Sequence, residues 1–125
     1  MTFTIDGTAY KANDARGSVM DDSTGVGKKT LLISGMAGGG LNKFLTVTII
    51  FPDTLTVGEF TETSHADLFW AETMSETVPA FLSTTTKVKI TSINSKYAEG
   101  TFAGILNNGE IEKPLTDGIF KVNIY

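Results

Sequence analysis

The chain contains no cysteine. Disulfides and thiolate chemistry are therefore excluded, and so is a zinc site built on sulfur ligands. It contains a single histidine, His65, so any metal there would have no second imidazole. Positive charge is scarce and scattered: the net charge is −4 and the only basic doublet is Lys28-Lys29. Nucleic-acid binders need a basic stripe to displace counterions, so nucleic acid is not an expected partner. No polybasic segment marks a membrane surface. No apolar run approaches the ~20 residues that a transmembrane helix needs. No signal peptide is legible either, because Met1-Thr2-Phe3-Thr4 already reads as strand. The chain is thus expected to be cytosolic or to lack a targeting segment that has been removed.

What is present fits one globular domain over residues 1–125. Hydrophobic residues make up 41% and charged residues 19%, a balance that can fill one core. Thr and Ser supply much of the remaining polarity, and they suit exposed strand faces.

The hydrophobic pattern alternates. Phe3 and Ile5 oppose Thr2 and Thr4, Asp6-Gly7 breaks the run, and Thr8-Ala9-Tyr10 resumes it. This predicts a hairpin of residues 2–5 and 8–12. A short strand is expected near 15–20, followed by an exposed loop from Asp21 to Gly27. Residues 30–36 read as a strand ended by Gly38-Gly39-Gly40. In residues 43–51, Leu45, Val47, Ile49 and Phe51 share one face and Thr46 and Thr48 the other. Ile50 falls on the Thr face, which implies partial cover there. Shorter extended pieces follow at 55–60 and 66–72, and residues 73–85 read as a long loop or a single helical turn. Residues 86–94 and 97–106 are strands, the latter carrying Gly100 and Gly104, which suggest bulges or close backbone approach. Asn107-Asn108-Gly109 reads as a hairpin turn. Lys113-Pro114 and Asp117-Gly118 frame a corner, and residues 119–125 close the chain with Phe120, Val122 and Ile124 inward. The fold class is all-β: an antiparallel β-sandwich or up-and-down β-barrel of about 8–9 short strands.

No motif carries a recognisable chemistry. Gly25-Val26-Gly27-Lys28-Lys29-Thr30 misses the phosphate loop at two positions, having Asp22 where glycine is required and Lys29 where Ser or Thr is required. Gly35-Met36-Ala37-Gly38-Gly39-Gly40 is followed by no helix that could hold a pyrophosphate. His65 and Asp67 would share a strand face, with Glu62 and Glu72 near in sequence, but one imidazole and scattered carboxylates read better as surface than as a metal site. No G-x-S-x-G or comparable signature accompanies a nucleophile. Catalytic residues, cofactors and metal ligands are therefore expected to be none. In Phe69-Trp70, adjacent strand residues face opposite ways, so one ring goes to the core and the other outward. The candidate contact residues for a ligand or partner are Trp70, Phe69 and His65.

Lys89-Ile90-Thr91, Gly100-Thr101-Phe102-Ala103-Gly104, Asn108-Gly109-Glu110 and Thr116-Asp117-Gly118-Ile119-Phe120-Lys121-Val122 form a pattern. It resembles the C-terminal part of small β domains in Bacteroidetes cell-envelope proteins, many of them lipoproteins of unknown function. Thr4-Ile5-Asp6-Gly7-Thr8-Ala9-Tyr10 and Leu31-Leu32-Ile33-Ser34-Gly35 are similar too. The resemblance covers about half the chain, at its two ends, and residues 52–85 have no counterpart. It implies a secreted or cell-envelope address and a non-catalytic structural or binding module. Family members typically carry a lipidated cysteine upstream, which this sequence lacks. The shared residues look structural: Gly100 and Gly104 permit bends, Phe102 fills core and Asp117-Gly118 makes a turn. The partner is expected to be a protein, a glycan or a small apolar ligand. Two alternatives stand beside this reading: a lipocalin-like barrel holding a small apolar ligand, and an enzyme or enzyme inhibitor.

Overall fold

The computed structural model describes residues 1–22, 25–38, 42–73 and 79–125. Parts of the predicted loops at 21–27, 38–40 and 73–85 lie outside the described residues. Ten strands form one sheet: β1 (Thr2–Ile5), β2 (Thr8–Lys11), β3 (Arg16–Asp21), β4 (Lys29–Ala37), β5 (Lys43–Phe51), β6 (Gly58–Thr61), β7 (Ala66–Ala71), β8 (Phe81–Ile93), β9 (Tyr97–Asn107) and β10 (Glu112–Asn123). The one helical element among the described residues is a single 3-10 turn, Glu62–Ser64.

The order across the sheet is β2-β1-β10-β9-β8-β7-β5-β4-β3, with β6 beside β8. From β3 to β10 this is an antiparallel meander, and the N-terminal hairpin docks onto β10. The hairpin turns at Asp6-Gly7, where φ is +49° and +82°, the paired positive values of a tight two-residue turn. The sheet curls until its far side approaches the end of the chain. Gly17 in β3 forms a parallel bridge to Ile124, and the Tyr125 N–H donates to the Gly17 carbonyl at 3.0 Å. The architecture is therefore all-β and barrel-like.

Alternation places the core. Leu45, Val47, Ile49 and Phe51 are fully buried, and so are Leu31 and Ile33 opposite them. Their outward neighbours Thr46, Thr48 and Ile50 are half-buried. Phe3, Val88, Ile90, Phe102, Phe120 and Val122 join them in one continuous cluster. Burying each such side chain contributes roughly 1.5–3 kcal/mol.

Two predicted loops turn out to be strand. Residues 81–85 belong to β8, because their backbone pairs with β9 from Leu82↔Asn107 onward. The expected corner at Lys113–Gly118 lies within β10. There the ladder skips between Leu115↔Gly104 and Gly118↔Phe102, and Asp117 takes φ +54°. Asp117-Gly118 makes a bulge, which bends a strand without reversing it. Gly118 is required at this point: a Cβ there would sit 2.5 Å from both the backbone and the ring of Phe102.

β8 changes neighbours along its length. β7 pairs with it only at Phe69↔Leu82 and Trp70↔Phe81, and β6 takes the same edge from Thr61↔Lys87 to Gly58↔Ile90. Between them the strands part, and side chains replace the missing ladder partners. Ser83 Oγ accepts the Leu68 N–H at 2.9 Å and the Thr86 hydroxyl at 2.7 Å. Glu62 Oε2 accepts the Thr86 N–H at 2.9 Å. That bond is the leading reason the Glu62 carboxyl is held below its ordinary pKa, since it favours the charged form.

Candidate functional site

Trp70 lies between Leu45 and Phe81 on the inner face of the sheet and is fully buried. Its ring meets Phe3 edge-on at 5.4 Å between centroids and Tyr10 at 5.0 Å. Phe3 and Tyr10 stack at 5.6 Å. The N-terminal hairpin thus supplies two rings that clasp the indole inside the curl. Nε1 of Trp70 is buried with no hydrogen-bond partner among the described residues, an omission that costs about 1–3 kcal/mol.

A charged group caps this aromatic cluster. Glu72 follows β7, and its carboxylate meets the Lys113 ammonium at 2.5 Å, with both side chains mostly covered (21% and 26% exposed). Lys113 also lies 5.2 Å from the Phe81 ring centroid, within cation–π reach. The Lys43 ammonium donates to the Glu72 carbonyl at 3.0 Å. The Tyr10 phenol is pushed above its ordinary pKa, first by burial and then by the Glu72 carboxylate, with Lys113 opposing. This end of the barrel therefore joins β2, β5, β7, β8 and β10 through one aromatic and ionic assembly.

Phe69 faces the other way. It is half-buried on the outer surface, where its ring meets Phe44 at 6.4 Å. The two adjacent rings thus divide between core and outside, and Trp70 is the one withdrawn from any partner.

His65 does not share a strand face with Asp67. It caps the 3-10 turn in the left-handed conformation, φ +64°, one residue before β7 begins. It is exposed, and it lines a shallow depression of about 220 Å³ with Val26, Ile50, Pro52 and Phe60. Ser64 beside it is bound into the turn, accepting the Thr61 N–H at 2.7 Å and donating to the Thr61 carbonyl at 3.3 Å. Glu72 sits at the opposite end of β7 from His65. Among the described residues no group of three or more His, Cys, Asp or Glu side chains could hold a metal ion.

The outer face carries a larger feature. A depression of about 460 Å³ crosses β6, β8, β9 and β10 at the Asp117 bulge, with Lys87 and Lys89 on one side and Asp117 and Ile119 on the other. Ile119 is 56% exposed there. A second hollow of about 290 Å³, around Ala103, Ile105 and Pro114, adjoins it along the same strands. The bulge, with Gly118 in it and the small side chain of Ala103 opposite, lies in the floor of this relief.

Sequence reasoning missed the Glu72–Lys113 pair and this outer hollow. The pair spans 41 positions, and no local pattern announces it. Asp117-Gly118 was the one available signal for the bulge, and it reads equally as a turn. Comparison with protein-family models, with curated proteins and with solved structures found no match to this chain. No helix among the described residues is long and apolar enough to cross a membrane.

Proposed function

We propose that this is a non-catalytic binding or structural module of the cell envelope or secreted space, which meets its partner on the outside of the sheet. The observation that carries the reading is the burial of Trp70 among Phe3, Tyr10, Leu45 and Phe81. A carrier of small apolar ligands keeps its interior open and lines it with apolar side chains. Here the inward side chains pack on one another instead. The relief around the Asp117 bulge supplies an outer contact face with opposite charges flanking Ile119. The address rests on the resemblance of Gly100–Gly104 and Thr116–Val122 to envelope domains.

Titration with an environment-sensitive apolar dye and with a long-chain fatty acid, read by Trp70 emission, tests the proposal. The expected result is no saturable change. Stoichiometric binding that shifts Trp70 emission would overturn it in favour of a lipocalin-like carrier.

A further inference from the structure

The β9–β10 hairpin reverses through Asn107, Asn108, Gly109, Glu110 and Ile111. Its amide side chains are tied into the turn. Asn108 Oδ1 accepts the N–H groups of Glu110 at 2.9 Å and Ile111 at 2.8 Å. The Gly109 N–H donates to Asn107 Oδ1 at 2.6 Å. Gly109 takes φ +96°, and nothing lies within 4 Å of where its Cβ would be. Gly109 is exposed and Asn108 partly so, and water reaches the Gly109 side of the peptide between them.

This arrangement holds the parts of an intramolecular reaction next to one another. The backbone nitrogen of Gly109 is bonded one residue from the side-chain amide of Asn108, and glycine places no side chain in the path of attack. Two N–H donors already point at Oδ1 of Asn108, where negative charge would develop as the amide carbon becomes tetrahedral. The nitrogen becomes a nucleophile only after its proton leaves, and that proton is engaged by Asn107.

We infer that Asn108-Gly109 is a site of self-modification by deamidation, with the Asn107 side chain as its restraint. The Gly109 nitrogen gives up its proton to hydroxide and bonds to Cγ of Asn108. The Cγ–Nδ2 bond then breaks and the nitrogen departs as ammonia with a proton from water, leaving a five-membered succinimide. Water opens the ring at either carbonyl, giving aspartate or isoaspartate. The net change is one water consumed and one ammonia released, with no redox step. The product adds a negative charge close to Glu110 and Glu112. Its isoaspartate form also lengthens the backbone by one carbon, so the bonds from Glu110 and Ile111 to Oδ1 are lost. The hairpin that joins β9 to β10 in the bent wall would then loosen with age.

Peptide mapping by mass spectrometry, with isoaspartate detection, follows conversion at Asn108 in folded protein held at mildly alkaline pH. The parent converts slowly, and faster as pH rises. Asn107→Ala frees the Gly109 N–H and accelerates conversion roughly fivefold, the factor equivalent to one ordinary hydrogen bond. Asn107→Asp keeps an acceptor oxygen and stays near the parent rate. Circular dichroism melts, run in parallel, separate this effect from unfolding, because Asn107→Ala is expected to leave the bulk fold intact. Absence of conversion at Asn108 in the parent and in Asn107→Ala alike would overturn the site. Equal rates in Asn107→Ala and Asn107→Asp would overturn the restraint.

Discussion

The two sides of the curled sheet are built differently. On one side, β4 and β5 pair without interruption from Lys29↔Phe51 to Ala37↔Lys43, and β5 pairs with β7 equally cleanly. Leu31, Ile33 and Ala37 of β4 and Leu45, Val47, Ile49 and Phe51 of β5 alternate inward, on strands that carry only the ordinary twist of a sheet. On the other side, β8, β9 and β10 are 13, 11 and 12 residues long. Strands of that length must bend to follow the curl, and their ladders skip at Ser83/Thr85, Ile90/Ser92 and Leu115/Gly118. Glycines sit where the bends bring backbones together. A Cβ on Gly100 would lie 2.1 Å from the Lys89 carbonyl, and one on Gly104 would lie 2.3 Å from that of Thr85. Both walls bury apolar side chains in one core, and the bent wall depends in addition on close backbone clearance at Gly100, Gly104 and Gly118. The outer depression of about 460 Å³ lies on the bent side, and a smaller one of about 320 Å³ lies against Leu32 and Ser34 of the regular side.

The contrast can be broken most severely at the aromatic cluster that joins the two walls. Trp70→Ala removes the ring that touches both Phe3 and Tyr10 and is expected to cost about 3–5 kcal/mol, measured by denaturant unfolding. In the regular wall, Ile49→Ala should cost about 2–5 kcal/mol through the cavity it leaves. In the bent wall, Gly100→Ala adds a single methyl yet should cost about 1–3 kcal/mol, because it collides with backbone. A control substitution of similar size on the regular wall, Thr48→Ser at a half-buried outer position, should change stability by less than about 0.5 kcal/mol. If Gly100→Ala were as silent as that control, the division between the two walls would fail.

Smaller effects sharpen the picture at the junctions. Lys113→Ala leaves Glu72 partly covered without its ion-pair partner and should cost about 1 kcal/mol, since the pair is neither fully exposed nor deeply buried. The smallest expected effect is pH-dependent. The Glu62 carboxyl is held below its ordinary pKa by the Thr86 N–H. Its contribution is therefore present above the unfolded-state pKa and lost as the pH falls through the lower folded value. Glu62→Gln should flatten that part of the acid unfolding curve, lowering stability slightly at neutral pH and leaving it unchanged at low pH. Loss of the slope in Asp67→Asn instead would misplace the group responsible.

The regular wall was readable from sequence because strict alternation at Leu45, Val47, Ile49 and Phe51 has only one structural meaning. The N-terminal hairpin was equally plain, since Asp6-Gly7 demands positive φ. The bent wall was harder. Asp117-Gly118 and Lys113-Pro114 carry turn chemistry, yet pairing with β9 keeps the strand running through them. Residues 81–85, rich in Thr and Ser, carry no alternation, and they become strand because Leu82 and Ser83 find partners in β9. The candidate site was half legible. The division of Phe69 and Trp70 between two faces followed from strand geometry. Which ring faced inward did not, because it depends on Phe3 and Tyr10 arriving from the far end of the chain. His65 was misplaced beside Asp67 because the 3-10 turn at Glu62–Ser64 shifts it out of the strand.

Acrylamide quenching of the single tryptophan tests the central claim most directly. A filled interior predicts blue-shifted emission and a quenching constant close to that of a fully shielded indole, unchanged by apolar additives. Ready quenching, or protection that appears only when an apolar ligand is added, would mean that the barrel holds an open site around Trp70 and would contradict the account.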